Sequence, residues 1–138
     1  MSRYERTGER DLTVSAWHRS LPDNCSAIDV DFLEYCNRCR APLAVIELAK
    51  GHHQTPKPTT VLRHLAETAG IRAYLILYDL DAAGEYGLAP TMRVARVCPQ
   101  PTALKEMPVA AVGKLIVRIH DEHICPQTNP LTAHPNGI

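Results

Sequence analysis

The 138-residue sequence predicts an α/β domain, a single unit with a central mixed β-sheet flanked by helices. Three observations carry that prediction. The segment "IRAYLILYDL", residues 71 to 80, is apolar almost throughout, as a strand covered on both faces must be. "AIDVDFLEYCNRCRAPLAVIELAKG", residues 27 to 51, reads as two strands around a short polar turn. Helical apolar stripes stand between and after these runs, so strands and helices alternate along the chain.

In order, residues 9 to 20, "ERDLTVSAWHRS", predict a first helix with Leu12, Ala16 and Trp17 inward, ended by Leu21-Pro22. The hairpin follows. "GHHQTPKPTT" is a loop, because its two prolines cannot continue a strand. A second helix starts at Thr59 or Thr60, either of which can cap it. Val61, Leu62, Leu65, Ala66 and Ala69 form its stripe and Gly70 its stop. The buried strand comes next, then the loop "DAAGEYGLAP" and an alternating strand "TMRVARVCP". A last helix begins with Pro108 at its first position and turns Val109, Val112, Ile116 and Ile119 inward. Residues 1–125 form the expected domain, and 126–138, rich in Pro and Asn, an irregular tail.

Fifteen basic and fifteen acidic side chains balance, so composition neither advertises nor excludes nucleic acid. Five cysteines are an odd set and the charged start "MSRYERTGERDLTVS" has no apolar signal region, which makes a reduced, cytoplasmic setting the expectation. No apolar run approaches the ~18 residues of a membrane span. No Gly-rich phosphate loop, Ser-His-Asp order or dinucleotide fingerprint is present.

Three acids sit inside the hairpin. Alternation puts Asp29, Asp31, Leu33 and Tyr35 on one face of its first strand, and Leu43, Val45, Glu47 and Ala49 on one face of its second. A turn centred on Cys39 sets Asp31 across from Glu47 and Phe32 across from Ile46. A slip of one residue would mix apolar and acidic side chains on both faces. Carboxylates that close require a counter-charge, and hard oxygen donors favour Mg²⁺ or Mn²⁺, with the Leu48 carbonyl as a further ligand. The competing reading leaves Asp29 in water and pairs the others with Arg side chains.

This pattern resembles the PD-(D/E)XK nuclease superfamily, especially its small archaeal and phage-type Holliday junction resolvases: a first helix with an acid, a strand with Asp, a return strand with "IE" near a Lys, then helix and strand. The likeness spans roughly residues 9 to 80. It implies a restriction-endonuclease-like fold, a Mg²⁺-dependent DNA endonuclease and a homodimer. It also implies Asp31 and Glu47 as metal ligands, Asp29 as an auxiliary one, and Glu9 as the acid of the first helix. The family's lysine stands two positions after the second acid, which here is Ala49; Lys50 comes one later, and Lys57 would have to reach back from the next loop. A non-catalytic DNA- or protein-binding module on the same scaffold is the alternative. Arg19 and Arg63 are candidate phosphate contacts.

"CNRC" places Cys36 and Cys39 at the hairpin turn with the spacing of half a Zn²⁺ knuckle. The other half would have to come from Cys25, Cys98, Cys125 or a histidine. A zinc-stabilised interaction domain is therefore a third expectation, beside a bland pair of reduced thiols. His120 and His123 with Cys125, in "HDEHIC", could bind metal from one helical face or simply end a solvated helix. His52 and His53 flank the proposed acidic site, either as solvated loop residues or as ligand or DNA contacts, and His18 follows Trp17 in the first helix.

Overall fold

The computed structural model describes residues 11–51 and 59–126. In chain order they form α1 (Thr13–Arg19), β1 (Phe32–Tyr35), β2 (Pro42–Lys50), α2 (Thr60–Ala69), β3 (Arg72–Tyr78), β4 (Thr91–Cys98), β5 (Lys105–Pro108) and α3 (Val109–Asp121). The strands make one five-stranded sheet in the order β1-β2-β3-β4-β5. β2 and β3 run parallel and every other pair antiparallel. A parallel pair needs a crossover, and α2 supplies it.

Pleating sorts the apolar side chains into two cores. Ala73, Leu75 and Leu77 of β3 face α2 together with Val45 and Ala49, beneath Leu62 and Ala66. Tyr74 and Ile76 face the other way, with Ala44, Ile46 and Val94, against Val112 and Ile119 of α3. That is why β3 carries no polar residue between Ala73 and Leu77: each side of it lies under a helix. Gly70 ends α2 at φ +69°, a left-handed conformation that glycine adopts without steric cost.

The hairpin register is the expected one, with Phe32 opposite Ile46 and Leu33 opposite Val45. Its first strand is shorter than expected. β1 begins only at Phe32, because the Leu48 amide donates to the Asp31 carboxylate at 2.8 Å and leaves the strand ladder there. α1 also departs from expectation. None of its residues is buried, and Leu12 and Trp17 stay exposed: seven residues followed by Leu21-Pro22 form too short a helix to reach the sheet. β5 was not signalled, since "KEMP" is a charged edge strand that needs little apolar burial to pair with β4. Pro108 closes that strand and caps α3 with extended backbone, and so is not the first residue of the helix. Among the described residues no helix is long and apolar enough to cross a membrane.

Candidate metal centre

Between β1 and β2 the chain turns within a few residues. The Cys36 amide donates to the Ala41 carbonyl and the Arg40 amide to the Cys36 carbonyl, both at 2.8 Å. Closing so tight a loop forces Arg40 to φ +67°, a left-handed conformation that costs a non-glycine residue ~1–2 kcal/mol. The strained turn leaves the Cys36 and Cys39 sulfurs on the same side. Backbone N–H groups of Cys39 and then Arg38 donate to the Cys36 sulfur and hold its thiol down at about 7, against partial burial. For Cys39 the Ala41 amide pulls the same way, yet partial burial and the Cys36 and Cys125 thiols outweigh it, and its thiol lies above the ordinary value. Thiols crowded this closely cannot all ionise without a cation among them.

The other half comes from beyond α3. That helix ends at Asp121, with Glu122 as its C-cap, so His123 and Cys125 lie past its last turn rather than on a shared helical face. Two contacts set where this end goes. His120 meets Glu34 of β1 at 2.9 Å, and Glu122 pairs with Arg72 at the start of β3. His123 is thereby delivered to the hairpin, its Nε2 3.2 Å from the Cys39 sulfur. The donor atoms of Cys36, Cys39, His123 and Cys125 all lie within 4.8 Å of one another. A tetrahedron built on metal–sulfur bonds of ~2.3 Å has edges of ~3.8 Å, so these four atoms can close on one ion with shifts of about 1 Å. The group could hold a metal ion, and all four cysteine and histidine side chains are half-buried.

The acids are arranged differently. The ladder begins at the Phe32–Ile46 pair, so Asp31 and Glu47 flank its end and are not a pair within it. Asp31 is exposed and engaged by the Leu48 amide; Asp29 is exposed; Glu47 is half-buried on the α2 side. Asp29, Asp31 and Glu47 are not within ligand distance as a trio: among the described residues the Cys/His group alone meets that criterion. Ala49 is buried under α2, 4% exposed, so the face that carries Glu47 has no room for a lysine two positions on. The β2–β3 ladder is unbroken from Ala44 to Lys50, which leaves Lys50 on the opposite face. Arg63 is exposed and bonded to Glu67 at 2.8 Å, and Arg19 is exposed at the end of α1. Glu9, His52, His53 and Lys57 lie outside the described residues.

Sequence reasoning named Cys125 or a histidine among the residues that could complete the Cys36–Cys39 half, and left open which of them does. The signal was a CxxC at a hairpin turn with an HxC near the far end of the chain, separated by the whole sheet. Cys25 and Cys98 are not part of it. No protein-family model, curated protein or solved structure matches this chain.

Proposed function

We propose that this chain is a zinc-stabilised interaction domain, in which Cys36, Cys39, His123 and Cys125 bind one Zn²⁺. The carrying observation is the convergence of these four donor atoms, from two chain segments, to within 4.8 Å of one another. Three thiolates and an imidazole are soft and borderline donors that suit Zn²⁺ and disfavour Mg²⁺ or Mn²⁺. Four protein ligands fill a tetrahedron and leave no position for water or substrate, so the ion's task is to hold structure. What it holds is the end of α3 against the β1–β2 turn, at the edge of the sheet. Titrating metal-free protein with Co²⁺ tests the ligand set. The expected result is the visible absorption of a tetrahedral, thiolate-bound ion, saturating at one per chain and displaced by Zn²⁺. A Co²⁺ spectrum without thiolate character would refute it.

A second reading, a Mg²⁺-dependent DNA endonuclease, has one observation in its favour: Asp31 and Glu47 are the residues next beyond the last paired positions of the hairpin, Phe32 and Ile46. In that reading the pair shares a divalent ion that activates water against a phosphodiester, with the lysine supplied from elsewhere. Nicking of duplex or branched DNA in Mg²⁺ or Mn²⁺ is its assay. It requires activity that disappears in Asp31→Ala and in Glu47→Ala, and unchanged DNA in the wild-type reaction removes it.

A further inference from the structure

The four donors are divided between two segments of different character. Cys36 and Cys39 stand on one turn, whereas His123 and Cys125 arrive from past the end of α3. The Arg40 amide bonded to the Cys36 carbonyl wraps residues 36–40 into that single turn. A turn of this kind keeps α-carbons three positions apart within ~7 Å, about the span a disulfide bridges. The Cys36 sulfur already accepts the Cys39 amide, so it lies against the residue it would join. It is no more than 4.8 Å from the Cys39 sulfur, and rotation of the two side chains closes the gap to the ~2 Å of an S–S bond. Both thiols are half-buried, with Asn37 and Arg38 exposed between them, so a small solute reaches them. Cys98, by contrast, is 3% exposed, and Cys25 lies outside the group.

We propose that the metal centre is a redox-sensitive clasp: a peroxide joins Cys36 to Cys39, ejects the Zn²⁺ and frees the chain beyond α3 from the β1–β2 turn. The inference rests on the reading of Cys36, Cys39, His123 and Cys125 as a Zn²⁺ site. As ligands the three cysteines are thiolates, the nucleophilic form. The Cys36 thiolate attacks one oxygen of hydrogen peroxide and the O–O bond breaks. The departing hydroxide takes a proton to become water and leaves a sulfenic acid at Cys36. The Cys39 thiolate then attacks the Cys36 sulfur. An S–S bond forms, and the sulfenic oxygen leaves as hydroxide and becomes a second water with a second proton. Two electrons pass from the sulfurs to the peroxide oxygens.

Cys39 supplies the second thiolate because the turn's own backbone hydrogen bonds keep it beside Cys36 whether or not the ion is present. Cys125 reaches the hairpin from a segment that the ion itself retains. After the bridge forms, one thiolate and one imidazole remain, too few to complete the tetrahedron of a structural Zn²⁺. The bridge lies inside the turn and crosses to no other element. The end of α3 then keeps only its His120–Glu34 and Glu122–Arg72 contacts.

Hydrogen peroxide added to the Zn²⁺-loaded full chain, beside a chromophoric zinc indicator, tests this once the metal content of the reduced protein has been measured. The expected result is one Zn²⁺ released per Cys36–Cys39 bridge found by peptide mapping, with Cys125 newly open to alkylation. Reduction with dithiothreitol should restore Zn²⁺ binding. A bridge that includes Cys125, sulfinic acids without a bridge, or Zn²⁺ retained through the oxidation overturns the inference and leaves the zinc reading intact. Reduced protein that takes up no Zn²⁺ removes the zinc reading before any oxidant is added, and the clasp with it.

Discussion

Stripping the ion from Cys36, Cys39, His123 and Cys125 removes a cross-link between the β1–β2 turn and the chain beyond α3. Cys39 and His123 are 84 positions apart, so the ion closes a loop of nearly two thirds of the protein. Treated as a constraint on the unfolded chain, closing a loop of that length stabilises the fold by about 4.6 kcal/mol at 25 °C. An ion that leaves on unfolding does not constrain the unfolded chain and contributes instead its binding free energy to the folded state, which for a structural Zn²⁺ site is larger, on the order of 10 kcal/mol. For a domain of this size each kcal/mol moves the melting temperature by ~3–4 °C, so chelation should lower Tm by ~15 °C or more. Circular dichroism melts in excess chelator and in buffered Zn²⁺ measure the difference, and adding Zn²⁺ back should restore the higher Tm. A shift under ~3 °C, equivalent to less than about 1 kcal/mol, would refute the cross-link argument.

The two histidines near the end of α3 should separate cleanly. His123→Ala is expected to release the ion and melt with the chelated protein, whereas His120→Ala loses only its contact with Glu34 and should keep the ion at a cost within about 1 kcal/mol. In metal-free protein Cys36 should react with an alkylating agent as its thiolate forms, with a midpoint at about pH 7. Its rate rises through that pH because amide donors stabilise the anion, and Zn²⁺ should suppress the reaction, as mass mapping of the modified cysteine would show. Ala49→Lys buries an ammonium under α2 and should cost on the order of 3 kcal/mol in urea denaturation, so restoring the lysine of the PD-(D/E)XK pattern there should weaken the fold.

Much of the architecture is legible in the sequence for physical reasons. The continuous apolar run of β3 demanded cover on both faces, and α2 and α3 provide it. The apolar alternation of the hairpin selected its register, because any slip would have exposed Ile46 or buried an acid. What local pattern could not show was where side-chain polarity replaces backbone pairing. Asp31 takes the Leu48 amide and shortens β1, a substitution that period-2 reasoning cannot see. α1 lacked the length to use its apolar residues, and β5 owes its existence to β4 rather than to its own composition.

The candidate site was half legible. CxxC at a turn is visible as spacing, and HxC beyond a helix is visible as residue types, but their union depends on the sheet bringing the first hairpin beneath the last helix. The Glu34–His120 and Arg72–Glu122 contacts that fix this approach join residues 86 and 50 positions apart. No window along the chain contains them.

The most direct test of the central claim is the mass of the intact protein, purified without chelator and measured under native and then denaturing conditions. The account predicts one zinc ion per chain under native conditions, lost on denaturation and absent from Cys39→Ser and His123→Ala. Native protein at its bare polypeptide mass, or a zinc ion that both variants retain, would contradict it.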